Sequence, residues 1–167
     1  MKKRKKVFVI VLACFFVLSL LSFFARFTKL TAQVHFNFDQ KSLLLITEYL
    51  KDEPELTIHT FDKIINFYSG TDVTEVPLNK IENQAVKKAI QYLFNVRGYY
   101  YIERNDNSII FTKRAWGDFR TGLVYLVDEN ADLESEVEYL TLSEPLSDSG
   151  WYYWESDYQK WKSIHLW

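Results

Sequence analysis

Three rhythms of hydrophobic and polar positions run along this chain, and each predicts a different kind of element. The first is an unbroken apolar run. Val7 to Ala25 (VFVIVLACFFVLSLLSFFA) is uncharged over nineteen residues, with Cys14, Ser19 and Ser22 as its mildly polar members. A helix of that length, rising about 1.5 Å per residue, is ~28 Å long and close to the hydrocarbon thickness of a bilayer. Backbone groups in hydrocarbon must bond one another, which forces a helix.

The second rhythm is helical. Asp39 is placed as an N-cap for a helix through about Lys51, with Leu43, Ile46, Thr47 and Leu50 on one face and Asp52-Glu53-Pro54 as the stop. Ile64, Ile65, Phe67 and Tyr68 predict a short helix closed by Gly70. The clearest helix follows Pro77. Its stripe is Leu78, Ile81, Ala85, Ala89, Leu93 and Val96, Asn79 and Glu82 are spaced as a capping box, and Gly98 ends it. Trp154, Tyr158, Trp161 and His165 recur at helical spacing, predicting a short terminal helix that lays its aromatics on a sheet.

The third rhythm has period two. Leu56 to Phe61 reads as a short strand. Tyr99 to Arg104 and Ser108 to Arg114 flank Asn105-Asp106-Asn107 and read as a hairpin. A turn at Trp116-Gly117-Asp118 leads into a strand from Phe119 to Val127. Glu136 to Leu142 and Trp151 to Glu155 predict two more strands, separated by a turn-like Ser143 to Gly150. Helices first and strands after them indicate an α+β domain with an antiparallel meander.

Charge gives the first segment an orientation. Lys2-Lys3-Arg4-Lys5-Lys6 precede the uncharged run, and only Arg26 and Lys29 follow it closely. The positive-inside rule keeps the N-terminus cytoplasmic and sends the rest across. A cleaved signal peptide fits less well, because its apolar core is usually shorter and Leu30-Thr31-Ala32 places a bulky Leu where a small residue is wanted. A lipoprotein site at Val11-Leu12-Ala13-Cys14 would leave Phe15-Phe16-Val17-Leu18 outside the removed peptide and fits worse. The reading is an uncleaved signal-anchor. Residues 1–29 form the basic prefix and span, and residues 30–167 the extracytoplasmic domain.

The domain is acidic. Seven of the 20 Lys and Arg residues lie before residue 30 and none of the 22 Asp and Glu do, which leaves 13 bases against 22 acids, a net of −9. Such a domain is repelled by nucleic acid, so no nucleic-acid partner is expected. The lone Cys14 sits in the apolar run, so the domain has neither a disulfide nor a thiol nucleophile. Its stability must come from packing, which an aromatic content of 17% can supply.

Motifs for chemistry are sparse. His35, His59 and His165 are too far apart for a metal-type pair, and the five glycines are too dispersed for a phosphate cradle. Asp128, Asn130 and Asp132 imitate the opening of a calcium loop, but Leu133 stands where glycine is needed and Tyr139 where a glutamate belongs. A turn explains these residues better. No metal, cofactor or catalytic residue is implied.

One segment is distinctive. Thr121 to Gln159 carries ten acids and no Lys or Arg. Exposed acids are usually just a solvated face, yet charge this dense also suits a docking surface for a basic partner. Glu134, Glu136 and Glu138 are the candidate acids. Trp151 and Tyr153, on one face of Trp151-Tyr152-Tyr153-Trp154, are the candidate aromatic contacts, with burial of both faces as the plainer reading. The sequence therefore predicts a single-pass, membrane-anchored protein-binding module of the cell envelope, an assembly subunit or an inhibitor or immunity-type factor. Its partners are the membrane, through residues 7–25, and a protein with a basic surface. The alternatives are a small envelope hydrolase using carboxylates and a cell-wall glycan-binding module using the tail aromatics.

Overall fold

The computed structural model describes residues 12, 15–19, 27–60, 64–69, 72–147 and 150–165. Most of the uncharged run lies outside them. Leu12 and residues 15–19 are helical, and among the described residues no helix is long and apolar enough to cross a membrane.

The domain is α+β, with a large antiparallel sheet and few helices. Chain order is α1 (Ala32–Leu50), β1 (Leu56–His59), β2 (Ile64–Ser69), β3 (Asp72–Pro77), a 3-10 turn (Leu78–Lys80), α2 (Gln84–Asn95), β4 (Tyr101–Arg104), β5 (Ser108–Trp116), β6 (Phe119–Leu126), α3 (Leu133–Glu136), β7 (Leu140–Pro145), β8 (Trp151–Asp157) and α4 (Tyr158–His165). The strands form one sheet of order β3-β2-β1-β4-β5-β6-β8-β7.

Alternation along the central strands builds a layer on each side. Ile109, Phe111, Leu123 and Tyr153 join Phe36, Leu43, Ile46, Leu50, Ile90 and Leu93 in the main core, beneath α1 and α2. Their neighbours Ile110, Val124 and Trp154 face the other way and pack with Val137, Leu133, Leu140 and Tyr152 in a smaller cluster. Gly122, opposite Thr112, permits a close backbone approach there, because a Cβ would fall 2.0 Å from the Phe111 carbonyl oxygen.

Several local expectations are corrected. Helix α1 begins seven residues before Asp39, which is not a cap but a fully buried residue within the helix. Ile64 to Tyr68 is strand β2 rather than helix. Ile65 pairs with Ile58 and Phe67 with Leu56, a registry that buries β-branched and aromatic residues on one sheet face. Strand β3 is an exposed edge that the sequence pattern does not show, with Pro77 at its end, where an edge strand tolerates it. Helix α2 starts after Asn83, whose Oδ1 accepts from the amides of Ala85 and Val86 at 3.1 and 3.2 Å, so Asn79 and Glu82 do not form the cap. Its buried face is Val86, Ala89, Ile90, Leu93 and Phe94, while Ala85 and Val96 are exposed.

Glu136 to Leu142 is not one strand. Asp132 caps the single turn α3 through the Glu134 amide, and β7 begins only at Leu140. Helix α4 begins at Tyr158, leaving Trp154 in β8. It has no buried residue and rests on Tyr139 rather than on the core, with Tyr158 and Trp161 at 4.9 and 5.4 Å from that ring.

Candidate functional site

Two polar constellations stand out. The first is a cleft of about 470 Å³ on the sheet face opposite α1 and α2. Its floor comes from β4, β5, β6 and β8 through Glu103, Ile110, Arg120, Trp154 and Ser156. One wall is the α3–β7 segment with Glu136, Val137, Glu138 and Tyr139, and the rim is closed by Gly117, Asp118 and Tyr158. Among the described residues, four carboxylates, Glu103, Asp118, Glu136 and Glu138, thus share the lining with one cation, Arg120.

The wall is held by specific contacts. Asn105 Nδ2 donates to the Glu136 carbonyl at 3.3 Å, and Asn107 Nδ2 to Glu136 Oε1 at 3.1 Å. Tyr139 has a left-handed backbone (φ 56°), uncommon for a tyrosine, and is followed by a bulge between Leu140 and Leu142. Together they turn the Tyr139 ring towards α4, where it meets Tyr158 and Trp161. Burial raises the Glu103 carboxyl above its ordinary pKa, opposed by the charges of Arg120 and His59. A hydrogen bond to Glu138, and its charge, raise the Tyr139 phenol. The Trp154 indole nitrogen, buried with the floor, has no hydrogen-bond partner among the described residues.

The sequence-predicted site residues separate here. Glu136 and Glu138 line the cleft, whereas Glu134 is exposed outside it. Trp151 and Tyr153 are each 1% exposed, so neither presents a surface. Trp151 packs among Phe36, Phe111 and Tyr125. Tyr153 lies against Phe27 and donates its hydroxyl to Glu155 at 2.5 Å. The inward face of β8 supports the main core, and that is the physical reason the aromatic platform does not form. Glu103, Asp118 and Arg120 are missed by the sequence reading, because they come from strands that only the sheet brings beside the acidic segment. The calcium-like acids are committed elsewhere: Asp128 Oδ1 accepts from Asn130 N at 2.9 Å, and Asp132 caps α3. Among the described residues no group of histidines and carboxylates is arranged to hold a metal ion.

The second constellation is buried between α1 and the sheet. Asp39 is fully buried and accepts from Arg97 Nε, from Lys113 Nζ at 3.3 Å and from the Tyr99 hydroxyl at 3.0 Å. His35, one turn earlier, receives Arg97 Nη2 and Lys113 Nζ at its Nδ1, both at 3.3 Å. Both partners are obligate donors when charged, so Nδ1 is the acceptor. Lys113 sits at the β5 bulge between Thr112 and Arg114, which turns its side chain inward over the rings of Tyr99 and Phe27 at 4.5 and 5.2 Å. Desolvation lowers the Lys113 ammonium to about 8 against the attraction of Asp39. This set fastens α1 and the α2–β4 connection to β5. Rings enclose it on two sides, which suits a structural lock better than a binding site.

No family model, no curated protein and no solved structure matches the chain.

Proposed function

We propose that the protein is a single-pass, membrane-anchored binding module whose domain lies outside the cytoplasm, and that its acidic cleft receives a basic segment of a partner protein. One observation carries the reading: four carboxylates and one arginine converge on a single cleft, walled by the segment in which acids are unopposed. Like charges held this close are self-repelling, and a cationic side chain relieves that repulsion. Tyr139 in the wall and Tyr158 at the rim supply ring faces for an ammonium or guanidinium group. The basic prefix and the uncharged run support the anchor and its orientation.

The test is a photo-crosslinking residue at Glu138 in the full-length protein in its native membrane, with Gln91 on the exposed face of α2 as control. The expected adduct, from Glu138 alone, joins a peptide rich in Lys or Arg. Adducts from Gln91 alone, or to a peptide without basic residues, contradict the reading.

A second reading, a carboxylate-dependent hydrolase, has Glu103 in its favour. A carboxyl raised by burial beside other carboxylates is the pairing that general acid catalysis uses. It requires turnover of a glycan or ester substrate that Glu103→Gln abolishes while binding persists.

A further inference from the structure

We propose that the end of the domain carrying the β5–β6 hairpin tip and helix α4 sits on the bilayer surface, with Trp116 in the interfacial layer. The proposal rests on the anchor reading above and adds to it an orientation for the domain.

Chain length comes first. Only Arg26 separates the uncharged run from Phe27, so Phe27 lies within about 7 Å of Ala25 at full extension. Whatever surrounds Phe27 is therefore close to the membrane. Arg114 Nη1 donates to the Phe27 carbonyl at 3.5 Å, and Lys113 Nζ lies over the Phe27 ring. Two residues further along β5, about 7 Å, is Trp116. At 88% exposure it is the most exposed large hydrophobic side chain among the described residues. Gly117, at φ 58°, makes the tight turn that holds it at the tip.

Helix α4 shares that end. Phe119 pairs with Asp157, so α4 starts beside the tip, and Gln159 Nε2 donates to Asp118 Oδ2 at 3.2 Å. The helix presents Ile164 at 59% exposure, a half-exposed Trp161 and the exposed Lys160 and Lys162. With Arg114 these lysines make three exposed cations at this end; Asp118, Asp157 and Glu155, which is level with Arg114, are its acids, and Arg120 faces the carboxylates of the cleft. The rest of the domain is strongly acidic. Tryptophan is enriched at both membrane–water interfaces, where the ring sits at headgroup level, and the neighbouring Lys and Arg can meet lipid phosphates there. The cleft's Gly117–Asp118 rim then faces a partner near the membrane plane.

The experiment is a depth measurement on the full chain in vesicles of phosphatidylethanolamine and phosphatidylglycerol. In a Cys14→Ser background, spin labels are placed through Trp116→Cys, Ile164→Cys, Glu129→Cys and Ser19→Cys. Collision with oxygen, which concentrates in lipid, is compared with collision with a water-soluble nickel chelate. The expected oxygen-to-nickel ratio is highest at position 19 and several-fold higher at 116 and 164 than at 129, which lies beyond the opposite end of β6. Equal ratios at 116, 164 and 129, with 19 still lipid-exposed, overturn the seating and leave the anchor standing. Shielding of 116 from both reagents means a protein covers the tip and also overturns it. An aqueous position 19 overturns the anchor reading and the seating together.

Discussion

Replacing Asp39 by asparagine tests the buried lock on its most exposed assumption, that one carboxylate holds two cations out of water. Asp39 is fully buried, and its partners are Arg97, Lys113 and Tyr99. Asparagine keeps the shape and drops the charge. Arg97 and Lys113 then face each other and the His35 ring with no counter-ion, and breaking a buried pair in this way costs about 3–5 kcal/mol. Lys113→Met removes the cation whose burial is least favourable, as its depressed pKa of about 8 indicates, and leaves Asp39 with Arg97 and Tyr99. The thioether fills much of the lysine stem's space, so this variant should be within about 1 kcal/mol of wild type or more stable. In the double variant one unpaired cation is gone, and the Asp39→Asn penalty should shrink by about 1–2 kcal/mol. Thermal unfolding in mild detergent, followed by near-ultraviolet circular dichroism, reads all three. At roughly 2–4 °C per kcal/mol for a domain of this size, Asp39→Asn should melt ~6–20 °C below wild type. An Asp39→Asn melt within about 1 kcal/mol of wild type would refute the reasoning, as would a Lys113→Met loss equal to it.

Three further outcomes follow from the same packing. The Lys113 ammonium titrates near 8 in the fold and at its ordinary value of 10.5 when unfolded, so between those values the unfolded chain binds more protons and stability rises with pH. Melts from pH 8 to 9.5 should shift in favour of wild type over Lys113→Met by about 2 kcal/mol, and an unchanged gap would remove the buried ammonium from the account. Leu93→Ala, at a fully buried α2 position, should cost about 2–5 kcal/mol, Asn83→Ala about 1 kcal/mol and Glu82→Ala close to nothing, and equal melting shifts would show the α2 face and cap to be wrong. Gly122→Ala, whose Cβ would collide with the Phe111 carbonyl, should lower the melting point more than an alanine at the open turn position Gly117, a comparison that one set of melts decides.

What the sequence shows and what it hides divide along physical lines. The β4–β5 hairpin, β6, β8 and the second helix are legible because their signals are local: period-two alternation, an Asn-Asp-Asn loop, an apolar stripe. Strand β2 is hidden because Ile64 to Tyr68 fits either period, and the pairing with β1 and β3 settles it. Asp39 looks like a cap because its stabilising partners lie 58, 60 and 74 residues away. Nothing near it in the chain announces them. The acidic segment is visible as composition, but the cleft is not, since Glu103 and Arg120 join it only across the sheet. Trp151 and Tyr153 follow the plainer of the two readings that the run allows, since the main core takes both rings.

Docking of a basic partner in the acidic cleft is tested most directly by the association rate of the full-length protein with the purified partner, measured at low and high salt. Wild type is compared with the triple variant Glu103→Gln, Glu136→Gln, Glu138→Gln, which keeps the size of each side chain and removes three of the cleft's four negative charges. The variant should associate about tenfold more slowly at low salt, and the two rates should converge as salt screens the field over ~8–10 Å and less. Identical rates at low salt, with the variant folded, would contradict that docking and return the acids of this cleft to a solvated sheet surface.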